Sequence, residues 1–165
     1  MTDQPLRLAI AADHAGFELK EYLKTALKER GYLLADLGTD SPAAVDYTDF
    51  ALAVAAGVGE GRFDLGIMIC GTGIGSQVAA NKLPRVRAGV CHDCFSARAS
   101  RSHNDLNVLC LGARVIGPGL ALEVTLAWLG TDFSGEERHL RRLAKIRQVE
   151  ERWGERSAPP TSPEE

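Results

Sequence analysis

The stretch that most constrains the fold is FDLGIMICGTGIGSQVAANK, running from Phe63 to Lys82. It starts with an apolar run (Leu65, Ile67, Met68, Ile69), passes through Cys70, and reaches Gly71, Gly73 and Gly75 alternating with Thr72 and Ile74 before a segment that can be helical. An apolar run of this length bounded by glycines reads as a strand buried on both faces, as in a parallel sheet. The alternate glycines let the backbone turn tightly with its N–H groups accessible. Ligands of open α/β sheets bind outside the carboxyl ends of the strands. A thiol and a set of amides are therefore delivered to the position where such a fold binds.

Strand-like and helix-like runs alternate on either side. Leu6 to Ala11 reads as a strand, Asp13 to Gly16 as a turn, and Phe17 to Arg30 as a helix with Leu19, Tyr22, Leu23, Ala26 and Leu27 on its apolar face and Gly31 at its end. Leu33 to Leu37 is a second strand, and the Gly38 to Asp46 loop leads to an alanine-rich helix over about Thr48 to Val58. Beyond the opening stretch come a strand at Val86 to Val90, a helix at Phe95 to Arg101, a strand at Asn107 to Leu111, and a helix from Pro118 to Leu129 with proline in its first turn. Five strands separated mostly by helices predict a three-layer α/β/α sandwich, Rossmann-like, around a five-stranded parallel sheet, with an extra C-terminal helix. That helix, 136–153, is highly charged, with a narrow stripe of Leu140, Leu143, Ile146 and Val149; such a helix is suited to lie across a partner subunit. Residues 1–153 are expected to form one domain and 154–165, ending in SAPPTSPEE, a disordered tail.

With 165 residues and 45% hydrophobic content the chain can bury one full-sized core. A net charge of -3 carries no footprint of a nucleic-acid binder. No stretch approaches a membrane span, and MTDQP lacks an apolar signal core, so the chain reads as cytoplasmic with no membrane partner. Four cysteines beside this much apolar sequence do not make a disulfide framework.

Among chemistry-bearing residues, Cys70 lies where a helix dipole and nearby N–H groups favour a thiolate, which suits a nucleophile or base; a small hydrophobe closing the strand explains it equally well. The GxGxG spacing matches neither the dinucleotide fingerprint nor the phosphate loop, but bare amides there can surround a developing oxyanion. Cys110 lies inside an apolar strand and reads as core. Cys91-His92-Asp93-Cys94 contains a CxxC without the second ligand pair that zinc needs, and reads better as a loop beside the site. His14 ends the first strand. His103, followed by Asn104, precedes the fifth, so a general-acid role for it requires residues 100–105 to fold back over the sheet edge; read alone, both histidines are explained as well by a surface position. Arg138 and Arg142, four apart, share a helix face on which two guanidinium forks could grip a phosphate, and Arg114 is a further cation after the fifth strand.

Four segments together, AADHAGFELK, ICGTGIGSQVAANK, SRSHNDLNVLCLGARVIGP and ERHLRR, resemble the B-type ribose-5-phosphate isomerases and related sugar-phosphate isomerases, including galactose-6-phosphate isomerase subunits, over about residues 6–150. The resemblance implies an aldose–ketose isomerase that needs no metal or other cofactor and acts on a phosphorylated pentose through an enediolate. It implies Cys70 as the base between C1 and C2, with Thr72 assisting. The Gly71, Gly73, Ile74, Gly75 and Ser76 stretch would cradle the enediolate, and His103 would open the ring. It further implies Asp13 and Tyr47 at the sugar, Asn104 on its hydroxyls, and His14, Arg138 and Arg142 on the phosphate. The two arginines would come from the partner of a homodimer, or of a dimer of dimers, with the site shared across the interface. Ser76 stands where some relatives place a catalytic glutamate, so the chain resembles the cysteine-based branch. Allose 6-phosphate, galactose 6-phosphate or a tetrulose phosphate are alternative substrates, and a non-catalytic sugar-phosphate-binding subunit is an alternative function.

Overall fold

Apolar strands buried on both faces and helices with apolar stripes assemble as the alternation requires. A computed structural model describes residues 6–157, with side chains to 154. In chain order the elements are β1 (Arg7–Ala12), α1 (Phe17–Lys28), β2 (Leu33–Asp36), α2 (Tyr47–Gly59), β3 (Leu65–Cys70), α3 (Ile74–Ala80), β4 (Ala88–Val90), α4 (Cys94–Asn104), β5 (Val108–Gly112), α5 (Pro118–Leu129) and α6 (Glu137–Ser157). All strand pairs are parallel, in the order β2-β1-β3-β5-β4. The chain divides into two units, one ending at Phe133 and the other beginning at Ser134.

The first unit is the three-layer sandwich. Successive strand residues point to opposite faces, so Leu8, Ile10, Ile67, Ile69, Leu109 and Leu111 pack with α1, α4 and α5, where Leu23, Leu27 and Trp128 are fully buried. Ala9, Ala11, Met68, Val108 and Cys110 pack with Ala51, Val54 and Val58 of α2 and Ala80 of α3. β3 is central and buried at every position, as its apolar run requires.

The helical face expected of α1 holds except at two positions. Tyr22 is exposed, while Lys20 is buried to 1% exposure. Burial of that ammonium is supported by Asp36 at 2.7 Å and the Thr39 carbonyl at 2.8 Å, and Lys24 also pairs with Asp36. These contacts tie the end of β2 and the start of the 37–46 loop to α1.

The second unit contains α6, whose apolar side chains Leu140, Ile146, Val149 and Trp153 are exposed. Its backbone runs to Ser157, four residues into the stretch expected to be disordered; residues 158–165 of that expected tail lie outside the described residues. Among the described residues no helix is long and apolar enough to cross a membrane.

Candidate active site

A pocket of about 230 Å³ opens at the carboxyl ends of β1, β3 and β5, lined by Asp13, His14, Ala15, Tyr47, Cys70, Gly71, Thr72, Gly75 and Arg114. The parallel topology sets this position: β1 leads into Asp13-His14, β3 ends at Cys70 and leads into Gly71-Thr72, and β5 leads into the turn carrying Arg114. A larger cavity of about 460 Å³ lies toward the opposite edge among Arg7, Lys28, Tyr32, Leu33 and Phe63, away from all these groups.

The 71–73 loop is folded around the thiol. Gly73 has φ +80°, a left-handed conformation that favours glycine, and from there its N–H donates to Cys70 Sγ at 3.2 Å. The Ile74 N–H donates to Thr72 Oγ1 at 3.3 Å. Two loop amides are thus engaged within the loop, one of them on the sulfur, an arrangement that accommodates negative charge there. The turn after β5 is stitched to the same loop by the Ala113 N–H to the Cys70 carbonyl (2.9 Å) and the Arg114 N–H to the Gly71 carbonyl (3.0 Å). This places the Arg114 guanidinium against Gly71.

The facing wall is equally fixed. The Gly16 N–H donates to Asp13 Oδ1 at 3.0 Å, and the Asp13 N–H extends the β1–β3 ladder to the Ile69 carbonyl. The His14 ring sets Nδ1 against the Val45 backbone, 3.2 Å from its carbonyl oxygen and 3.3 Å from its amide nitrogen, while Tyr47 opens α2 at the pocket rim.

Burial, together with the neighbouring Cys70 and Cys91 thiols, pushes Cys110 far up, and burial raises Cys91, so both are held as thiols. All four cysteines are free. Among the described residues no group of three or more His, Cys, Asp or Glu could hold a metal ion.

Not every expected residue lies at the pocket. Ile74 is 62% exposed outside the lining, and Ser76 is fully buried with a hydroxyl that has no hydrogen-bond partner. His103 and Asn104 are the last residues of α4, so residues 100–104 continue a helix and do not fold back toward Cys70. The 11 residues of α4 rise about 16 Å from the carboxyl edge to the amino edge of the sheet. Arg87 Nε holds that end through the Asn104 and Asp105 carbonyls. Arg138 and Arg142 lie on α6 of the second unit, with Arg138 Nε on Glu136 at 2.8 Å.

The family model described as Ribose/Galactose Isomerase matches residues 8–146, the stretch that contains every group lining the pocket. The chain belongs to the ribose/galactose isomerase family. Among members of this family, it is 45% identical to the ribose-5-phosphate isomerase B of Escherichia coli K12 over 146 residues, 88% of this chain and 97% of the relative. It is 41% identical to the D-erythrulose-4-phosphate isomerase of Pectobacterium atrosepticum, over 79% of this chain and 86% of that one. A solved structure of ribose-5-phosphate isomerase B from Clostridium thermocellum superposes with a TM-score of 0.87 at 47% identity, covering 90% of this chain and 99% of that one. The chain is therefore a sugar-phosphate isomerase of this family with its parallel α/β fold.

Proposed function

We propose that this isomerase interconverts ribose 5-phosphate and ribulose 5-phosphate through an enediolate. Cys70, as thiolate, takes the proton from C2 of the open-chain aldose; the electron pair forms the C1–C2 double bond and the carbonyl oxygen becomes an oxyanion. The thiol returns the proton to C1 while the C2 hydroxyl proton passes to the C1 oxyanion and the C2–O bond becomes the carbonyl, giving the ketose. Thr72 assists at the hydroxyls, and amides of the glycine loop stabilise the oxyanion. Asp13 and Tyr47 orient the sugar, and His14 and Arg114 face the anionic substrate. The observation that carries this reading is Cys70 Sγ, of a buried residue lining the pocket, accepting the Gly73 N–H among Asp13, His14, Thr72 and Arg114.

His103, as the group that opens the ring, and Asn104 cannot reach Cys70 of their own chain across the sheet. They are supplied, with Arg138 and Arg142 for the phosphate, by a second copy in a homodimer. Mixing Cys70→Ala with His103→Asn tests this: exchange of subunits restores one intact site in each mixed dimer, about a quarter of all sites. Failure of any mixture to regain activity, with exchange verified, refutes the shared site.

The likeness to a D-erythrulose-4-phosphate isomerase favours a four-carbon ketose phosphate as the second reading. Comparing kcat/KM for ribose 5-phosphate, allose 6-phosphate and erythrulose 4-phosphate on one preparation decides between them. Preference for a substrate other than ribose 5-phosphate overturns the first reading. Cys70→Ala with full turnover overturns the role of the thiol.

A further inference from the structure

We propose that His92 is a positioning residue for the isomerisation, holding the loop that carries Cys70 and Thr72 by accepting the Gly112 N–H. His92 lies in the short connection between β4 and α4 and does not line the pocket. Its Nε2 accepts the Gly112 N–H at 3.1 Å. Gly112 is the last residue of β5 and stands in register with Cys70.

Gly112 is wedged between two groups. A Cβ there would meet the carbonyl carbon and oxygen of Thr72, each at 2.8 Å, and His92 Nε2 at 2.9 Å. The imidazole therefore bears on the same backbone unit on which Thr72 rests. The next two residues donate to the carbonyls of Cys70 and Gly71. A change in the seat of Gly112 is transmitted to both sides of the 70–72 backbone within one residue. The bond needs a lone pair on Nε2, so the ring is neutral with its proton on Nδ1. This explains a histidine in a CHDC segment that builds no metal site: Cys91 is a buried thiol, Asp93 caps α4 through the Ser96 N–H, and the histidine reaches across the sheet end.

The inference rests on Cys70 and Thr72 acting as proposed above, and its test separates the two. In ligand-free wild-type protein at pH 8, nitrogen NMR of the His92 ring is expected to show a protonated Nδ1 and an unprotonated Nε2; a proton on Nε2 overturns the proposal. His92→Gln, whose Oε1 can stand in for Nε2, is expected to keep kcat for ribose 5-phosphate near the wild-type value. His92→Leu, of similar bulk without an acceptor, is expected to lose at least about tenfold in kcat with a smaller change in KM, as for a displaced reacting group. Amide exchange at Gly71 to Gly73 is expected to quicken in the leucine variant and not in the glutamine one. Equal kcat and equal exchange in the two variants overturns the role of His92. If the leucine variant does not fold, the ring nitrogens and the glutamine variant decide. Absence of ribose 5-phosphate turnover in the wild type defeats the substrate reading alone, because the exchange data still report the loop.

Discussion

Replacing Gly75 by alanine separates pocket geometry from stability. Gly75 lies in the first turn of α3, and a Cβ on it would meet the Tyr47 ring at 2.6 Å (Cζ) and 2.7 Å (Cε2), against an ordinary contact that begins at 3.4 Å. The ring must withdraw by about 0.8 Å, the difference between those two limits. Tyr47 is 39% exposed and has room to swing outward, at a rotamer cost of about 1 kcal/mol. Alanine in place of glycine within a helix returns about the same amount. Stability should therefore stay within about 0.5 kcal/mol of the wild type, within the ordinary range of neutral substitutions. The pocket wall, however, has moved by most of an ångström, a displacement that costs up to about 100-fold in rate. Steady-state kinetics on the family's sugar phosphates, beside thermal unfolding, should show kcat/KM down about 10- to 100-fold at an unchanged midpoint. The cause is checked in a double-mutant cycle: with Tyr47→Ala the clash disappears, so Gly75→Ala should cost almost nothing further. Losses that multiply across the cycle refute the steric argument, as does full activity of Gly75→Ala alone.

Gly66→Ala should have the opposite signature. Its Cβ would collide with Val54 Cγ1 and sit 3.2 Å from Val58 Cγ2 between β3 and α2, so urea unfolding should show a loss of about 1–3 kcal/mol while turnover per folded molecule holds. Lys20→Met removes the buried ammonium, leaves the Thr39 carbonyl without that donor, and leaves Asp36 to Lys24. Because Asp36 is partly solvated, the cost should lie at the low end for a broken buried pair, about 3 kcal/mol by the same assay. Acid should act through the same cluster. Burial opposes ionisation of Asp36, but hydrogen bonds from Lys20 and Lys24 prevail and hold its carboxyl below the usual range. On acidification the unfolded chain then takes up its proton first, so the stabilisation is complete above about pH 4 and is lost as the pH falls through the folded value. Melting temperatures measured from pH 6 to pH 2.5 should fall more steeply in the wild type than in Lys20→Met.

Much of this architecture is legible in the chain because each layer has its own periodic signal. The run from Leu65 to Cys70 demands burial on both faces and is the central strand; Pro118 to Leu129 reads and folds as the same helix. The carboxyl-end rule for open sheets alone brings His14, Cys70 and the glycines together. What was not legible depends on contacts between distant segments. Lys20 looks like a solvent-facing residue until Asp36 and Thr39 close over it. Tyr22, apolar at the right spacing, faces outward because α1 turns its stripe slightly toward Lys20 and Leu23. His92 reads only as part of a loop beside the site, because nothing in its neighbourhood names Gly112, twenty residues away, as its partner. His103 was recognisable by likeness to the family, whereas its place at the far edge follows from the length of α4.

The register of the central strands also has a consequence for the order of folding. Cys70 is opposite Gly112, and the turn beyond Ala12 is joined to Ile69, so the pocket is closed by pairings between segments about forty to sixty residues apart. Contacts of such separation are made late, after local helices and turns have formed. A nascent or refolding molecule thus acquires nearly all its helix before it acquires any site, and β5 is the last strand whose docking the chemistry must await. In this fold the pocket around Cys70 takes shape only when β1 and β5 have both docked on β3.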